Sequence, residues 1–345
     1  MIEHIGNLRI RLCVLIICIL WALSGCSEKS GSGDEQESGE GSRSERRFLS
    51  IGTAPPGGAF FVVGSAIAEV VGTHSSARGW QITAEATKGT QENVRRLDKG
   101  EIEFALANAA ITFFAVRGQA EWEKQHPVRT VMTLAPNIAL FITPADSGVK
   151  TIADLKGKRV VVGPAGAGFE HFVGPILAAH GVTYDDFNPL YDTQTGAVAL
   201  LADGSADAAF LGGAVPTASI TQACATRDIH FIPFADDAMD RLTEQYRFFD
   251  RRTIPADTYR GQAEDFHGLN VGSMILVTSA QIDEETVYRF TKTLFEHAEE
   301  VAEKHPAGKA INPKNVMRDT GTPFHPGAIR YFREIDIWPE DNAAQ

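Results

Sequence analysis

From Phe48 onward, short apolar runs alternate with amphipathic stretches, and this alternation predicts strands exchanging with helices. Phe48–Gly52 reads as a buried strand. A glycine loop follows, and the stripe Val62, Ala66, Ile67, Val70 and Val71 predicts a helix over Phe60–Val71. Trp80–Glu85 alternates apolar and polar positions, as a half-buried strand does. Thr90 is placed to cap a helix over Gln91–Lys99, which Gly100 stops. Phe104–Ala107, Ile138–Thr143, Arg159–Gly163, Ala206–Leu211, Ile229–Phe234 and Met274–Ser279 are further strands. Helices are expected near Phe169–Ala179 and Thr195–Ala202, a capping box opens a short one at Thr151–Asp154, and Asp283–Lys304 reads as one long charged amphipathic helix. The order argues for an α/β fold of parallel sheets with crossover helices.

A weak internal repeat runs through this pattern. The stretch from Leu97 to Leu106, with Gly100 between helix and strand, recurs as Leu201 to Phe210 around Gly204. The loop at Gly57 recurs at Gly166, and Thr90 before its helix recurs as Thr195. Two lobes of one plan are the expectation.

Four loops of small residues each precede a helix. They are Thr53–Gly58 (with Gly57), Thr87–Thr90 (with Gly89), Gly163–Gly168 (with Gly166 and Ala167), and Leu211–Pro216 (with Gly212 and Gly213). In a parallel sheet such loops gather at the carboxyl ends of the strands, where helix starts present free N–H groups and partial positive charge. One helix start contributes about 0.3–1 kcal/mol to holding an anion, and ~2 when partly buried. Micromolar affinity needs about 8 kcal/mol. One loop is therefore insufficient, and loops from two lobes closing over one ligand are required. Phe60, Phe61 and Phe169 are candidate walls of such a site, and Asn93 and Asn108 candidate donors. Each has a plainer use, in the core or in bonding the backbone.

The N-terminus adds an address. Arg9 and Arg11 precede an apolar run from Leu12 to Leu23, short for a bilayer span, which ends in Leu23-Ser24-Gly25-Cys26. This resembles a bacterial lipobox, which implies a signal peptide over 1–25 and a lipid on Cys26. Residues 26–47 hold Ser, Gly, Glu and Lys with no aliphatic side chain in the tether proper, and read as a flexible linker. Once Cys13 and Cys18 leave with the signal and Cys26 is lipidated, only Cys224 remains, as a small buried hydrophobe. A formal net charge of −12 speaks against nucleic acid and anionic lipid surfaces as partners.

Several chemistries find no signature. There is no Gly-x-Ser-x-Gly elbow and no His-Glu-x-x-His, and the loop at Gly163–Gly168 lacks the Lys-Ser/Thr of a phosphate loop. The histidines are scattered, so no metal and no cofactor is expected, and no catalytic residue is assigned.

The loop residues, with Thr87–Val94, Asp154–Arg159, Thr253–Tyr259 followed by Gly261-Gln262, and Thr322–Ala328, resemble the TAXI family of solute receptors of TRAP transporters, from about Ile51 to Arg333. The resemblance implies a two-lobe periplasmic-binding-protein (type II-like) fold, each lobe a sheet flanked by helices with the ligand cleft between. Lobe 1 would be 48–137 plus 272–345 and lobe 2 would be 138–271. It implies a lipid-anchored extracytoplasmic receptor that passes a small carboxylate, such as glutamate or 2-oxoglutarate, to a membrane permease. Gly166-Ala167-Gly168 stands where that family has Gly-Ser-Gly, Asn108-Ala109-Ala110 where it has Gln-Ser-Asp, and Phe60 where it often has Tyr. Fewer hydroxyl donors imply a less polar or differently shaped ligand. Two readings of the same scaffold remain open at this point: a sensory receptor feeding a signalling kinase, and a secreted enzyme.

Overall fold

The computed structural model describes residues 47–339 apart from Gly57. The expected signal peptide, Cys26, nearly all of the linker, and Gly57 lie outside the described residues.

The chain enters through β1 (Arg47–Gly52), α1 (Ala59–Ser75), β2 (Trp80–Glu85), α2 (Thr90–Asp98), β3 (Phe104–Asn108) and α3 (Ala109–Ala115). It then passes through β4 (Val128–Thr133) and crosses to β5 (Ile138–Pro144). Next come β6 (Arg159–Val161), α4 (Glu170–Ala179), β7 (Asn188–Leu190), α5 (Gln194–Ala202), β8 (Ala208–Gly213), α6 (Ala218–Thr226) and β9 (Ile229–Ile232). After α7 (Asp236–Gln245), β10 (Phe249–Ile254) and β11 (Phe266–Val271), the chain crosses back to β12 (Met274–Ser279). It ends in α8 (Glu284–Glu296), α9 (Ala298–Lys304) and α10 (Pro326–Glu334).

Two sheets result. The first has the order β2-β1-β3-β12-β4, and the second β10-β11-β5-β8-β6-β7 with β9 also on β5. In each, three neighbouring strands are parallel (β2-β1-β3 and β7-β6-β8), and an antiparallel strand delivered from elsewhere in the chain closes the third side. The repeat seen in the sequence thus maps β1, β2 and β3 onto β6, β7 and β8, with β12 and β5 in equivalent places. The all-parallel expectation fails outside these trios. The strands that follow each crossing enter without a crossover helix and so run the opposite way.

Side-chain alternation on the central strands divides the core. Phe104, Leu106, Met274 and Leu276 point toward α1, α8 and α10, and Phe104 stacks on Phe290 at 4.0 Å. Ala105, Ala107, Ile275 and Val277, one residue out of phase, belong to a second cluster. That cluster runs through α2 and α3 into the second sheet, including Phe172, Ile176, Phe210 and Phe248. The hydrophobic interior is therefore continuous between the two sheets. Helix α1 with its 3-10 extension, Ala59–Arg78, is long and apolar enough to cross a membrane, yet Val63, Ile67, Val70 and Val71 are buried within this fold. Cys224 is a free, buried cysteine whose thiol is pushed up by burial.

Other differences from the sequence reading have local causes. Gly89, not Thr90, is the residue before α2, and the Thr90 hydroxyl instead accepts the Asn108 N–H at 3.0 Å. Thr193, not Thr195, caps α5, accepting the Gly196 N–H at 3.1 Å. The single helix expected over Asp283–Lys304 breaks at His297, whose ring stacks on His74 at 3.4 Å and bonds Glu300 at 2.9 Å. The capping box at Thr151 forms, on a 3-10 turn.

Candidate functional site

The carboxyl ends of the parallel trios carry the loops chosen from sequence. After β1, β2 and β3 come the loops at Thr53–Gly58 and Thr87–Gly89 and the start of α3 at Asn108. After β6 and β8 come Gly163–Phe169 and Gly213–Thr217, with Tyr191–Thr193 after β7. Ladder register pairs Gly52 with both Glu85 and Ala105, so the first set leaves one sheet edge together.

Within the first set, hydrogen bonds fix the loops to one another. Thr53 is fully buried, and its hydroxyl donates to the Glu85 carbonyl at 2.7 Å. The Thr53 carbonyl accepts from the Thr87 hydroxyl at 3.0 Å and from the Asn93 amide at 2.7 Å. Asn93 also donates to Leu106 O at 2.9 Å. Asn108 caps α3 through Ala110 N–H at 2.8 Å, and its amide donates to Gly272 O at 2.8 Å. These four polar residues hold the backbone in place. The surfaces left open are Gly58, the half-buried Phe61 and Gly89. Phe60 packs on the core that contains α1. Gly89 sits at φ +109 with nothing near the space a side chain would take.

The helix starts differ electrically. The starts of α1 and α6 have no acidic residue in the first turn and no side-chain cap, so no side chain competes with an anion there, although the Phe61 N–H of α1 already donates to Gly58 O at 3.1 Å. Glu92 and Glu170 occupy the first turns of α2 and α4. Thr217 N–H, at the head of α6, donates to the Tyr259 hydroxyl at 2.8 Å. Gly212 is tied on both backbone groups to the Gln194 amide, at 2.8 and 3.3 Å, and would meet Ala139 if it carried a Cβ. Pro216 is exposed and follows a cis peptide bond, and Gly213 stands at φ +155.

The loop after β6 bridges to the first sheet's helices. A Cβ on Gly168 would lie 2.8 Å from Ile111 Cδ1 and 3.2 Å from Gln91, the second residue of α2. Phe169 packs its ring against Gly163, Gly166 and Ala167 stand at the open side, and a groove of ≈ 830 Å³ includes Pro164, Ala165, Gly166, Tyr184, Tyr191, Glu121 and Glu170 in its lining. The size suits a small organic molecule. The structure thus brings the Gly166–Gly168 loop to the start of α2. Glu121 was missed by sequence reasoning, because it lies in an irregular stretch after α3 with no motif around it. Burial pushes its carboxyl up, and the Glu170 charge beside it adds to the rise.

The two sheets are joined by the crossings 134–137 and 272–273. Val271 N–H donates to Asn137 O at 2.9 Å, and Asn270 Oδ1 accepts the Asn137 N–H at 2.9 Å. Asn270 Nδ2 donates to Asp250 at 2.8 Å and to Ser273 at 2.8 Å. Arg318 reaches the same pair, Asp250 at 2.8 Å and the Ser273 hydroxyl.

Comparison with known proteins places this geometry. In solved structures, the periplasmic aliphatic sulphonate binding protein SsuA from Escherichia coli is similar, with a TM-score of 0.50 at 15% identity, covering 87% of this chain and 82% of its own. A binding protein component of an ABC phosphonate transporter from Pseudomonas aeruginosa has a TM-score of 0.50 at 12% identity, covering 76% and 79%. A protein from Xanthomonas citri bound to ATP has a TM-score of 0.51 at 10% identity, covering 84% and 95%. The fold is the two-lobe periplasmic-binding-protein fold, each lobe a sheet flanked by helices.

The assignment to TAXI receptors of TRAP transporters is corrected here: the family that matches is the NMT1-like family, and these structural neighbours include sulphonate- and phosphonate-binding proteins. The motifs behind that assignment serve the fold. Tyr259 is buried beneath the start of α6, and Gln262 Nε2 donates to the carbonyls of Ile254, Pro255 and Glu264. His325 caps α10, and Arg159 pairs with Asp207 at 2.7 Å. Turns and caps of this kind hold a scaffold together and carry no information about the transporter. The match spans residues 51–335, and the chain belongs to the NMT1-like family.

Proposed function

We propose that this chain is an extracytoplasmic solute-binding receptor that closes two lobes over a small organic anion and hands it to a membrane permease. The observation that carries the reading is the close approach of Gly168 to Gln91 and Ile111, near enough that a Cβ on Gly168 would lie 2.8 Å from Ile111 Cδ1 and 3.2 Å from Gln91. It sets a glycine loop of one sheet against a helix start of the other, across the cleft where this fold holds its ligands. The neighbours named as binding proteins support a receptor over an enzyme.

We assign lobe 1 to 48–137 plus 272–345 and lobe 2 to 138–271, with the hinge near Asn137 and Gly272. The solute is an oxyanion of carboxylate, sulphonate or phosphonate type, held by the loops at Thr53–Gly58, Thr87–Asn93, Gly166–Phe169 and Gly212–Pro216. The uncapped, acid-free starts of α1 and α6 are its strongest backbone donors. The lipobox-like run ending at Cys26 supports secretion and tethering by lipid. Mass spectrometry of solute released from the purified chain, followed by calorimetric titration with glutamate, 2-oxoglutarate, an alkanesulphonate and a phosphonate, tests this. One of these anions should bind with one site per chain; heat from none of them, or from amines only, refutes the ligand class.

A further inference from the structure

Beside the groove described above, two of whose lining residues it includes, stands a group of side chains with no part in holding an anion. Glu121 follows α3 in lobe 1, while Glu170 and His171 open α4 in lobe 2. One ligand atom from each lies within 4.8 Å of the others. His171 is only 4% exposed. Its Nδ1 lies 3.0 Å from the Gly168 carbonyl, an acceptor, so Nδ1 carries a proton, and in the neutral imidazole Nε2 presents its lone pair. That Nε2 has no hydrogen-bond partner and faces Glu121 Oε1 at 3.9 Å.

A buried lone pair opposite a carboxylate is two acceptors with no donor between them, and burying acceptors unpaired costs about 1–3 kcal/mol. The second carboxylate, Glu170, worsens the imbalance. Gln91 Nε2 offsets part of it by donating to Glu121, and at 3.5 Å to Glu170, but it does not reach His171 Nε2. A cation between Nε2 and the carboxylates, a proton or a metal ion, completes the arrangement. Ligands on tetrahedral zinc at roughly 2.0–2.2 Å from the metal sit roughly 3.3–3.6 Å apart, close to the Glu121–His171 separation. A histidine whose Nδ1–H is held by a backbone carbonyl while Nε2 is free has the outer-shell pattern of a metal ligand.

We propose that Glu121, Glu170 and His171 bind one divalent transition-metal ion of the zinc class, with donors from both lobes, so that the ion holds the lobes together. The donor set, one imidazole and two carboxylates, suits zinc over magnesium or calcium. The second histidine–carboxylate group among the described residues, His74, His297 and Glu300, is internally paired, since both imidazoles bond Glu300 at 2.8 and 2.9 Å, and all three lie in lobe 1.

The purified, tag-free chain, stripped with EDTA and without added solute, is titrated with Zn²⁺ by calorimetry. One site per chain is expected. Glu121→Gln, at a side chain 42% exposed, should fold as the parent does and weaken Zn²⁺ at least about tenfold. His171→Gln should weaken it likewise, and His297→Gln should leave it unchanged. Thermal unfolding without metal confirms that each variant is folded. Absence of saturable Zn²⁺ binding by the parent, or binding that survives Glu121→Gln but is lost in His297→Gln, overturns the proposal. The inference rests on the two-lobe reading, and the two fail separately: solute affinity measured in EDTA tests the solute reading, and Zn²⁺ titration without solute tests the metal site.

Discussion

Gly168→Ala is the most informative single change, because two costs of different origin can be separated. Gly168 stands at φ +88, where a residue with a Cβ is strained by about 1–2 kcal/mol whatever surrounds it. That strain is present whether the lobes are together or apart. The new Cβ would also lie 2.8 Å from Ile111 Cδ1 and 3.2 Å from Gln91, against an ordinary carbon contact of about 3.5–4.0 Å. Overpacking costs about 1–3 kcal/mol, and since both neighbours offer movable side-chain ends the lower figure applies. This second cost exists only when the lobes meet. It should weaken solute binding by about five- to tenfold, given that about 1.4 kcal/mol is a factor of ten. Gly100→Ala is the control: φ is +70 and no atom lies near its Cβ position, so it carries the strain without the clash. The assay is calorimetric titration of parent, Gly168→Ala and Gly100→Ala with the solute released from the parent, alongside unfolding midpoints. Both variants should melt lower, and only Gly168→Ala should bind more weakly. Equal affinities in the two variants would refute the idea that this loop closes against α2.

Three further outcomes follow from the same structure. Gly58→Val, at φ −92 with its Cβ 3.7 Å from the nearest atom, should fold normally and lose solute affinity in the same titration, because bulk is added at the open start of α1 without backbone strain. Arg318→Met should lower the unfolding free energy by about 1–3 kcal/mol, read as a lower denaturant midpoint, since Asp250 and Ser273 keep only Asn270 as a shared partner, the figure being reduced for partial exposure of the pair; an unchanged midpoint would show that this network does not stabilise the crossing. His325 donates from Nε2 to the Ile282 carbonyl and accepts the Gly327 N–H on Nδ1, so it is neutral, and burial holds it below 6.5, as burial also holds His126, His180 and His305. The unfolded chain then binds more protons than the folded one as pH falls through about 6.5, so stability is full above that pH and declines below it. His325→Gln should flatten the slope of unfolding free energy between about pH 6.5 and 5, measured by denaturant titration at each pH, by up to about 1.4 kcal/mol per pH unit.

How far the sequence carries can be judged residue by residue. The first parallel trio, strands β6 and β8 of the second, and their glycine loops were legible, because period-two alternation and helix-stop glycines are local signals: Gly100 and Gly204 each end a helix before a buried strand; the three-residue β7, Asn188–Leu190, is too short to show a period. Strands β10 and β11 were not, because Phe249–Ile254 and Phe266–Val271 owe their pairing to one another and to the crossing, not to their own patterns. Helix α3 escaped notice because Ala109–Ala115 is apolar on all sides, which a helix at a lobe boundary must be. Its Phe113 meets Phe248 at 5.2 Å and Phe114 meets His171 at 5.4 Å, contacts that no spacing rule anticipates. For the candidate site, the loops could be named from sequence, and so could backbone bonding by Asn93, but the roles of Thr53 and Thr87 could not. Their burial and their bonds to Thr53 and Glu85 carbonyls show side chains tying loops together. The meeting of Glu121 with Glu170 and His171 depends on two segments far apart in the sequence, and histidine spacing alone argued against any metal.

The central claim is that one solute is gripped by loops of both lobes at once. Hydrogen–deuterium exchange, with and without the solute released from the purified chain, measures this directly. The account predicts slowed exchange together at 53–62 and 86–93 in lobe 1 and at 163–171 and 212–218 in lobe 2. Protection confined to one lobe, or exchange unchanged at all four segments under saturating solute, would contradict it.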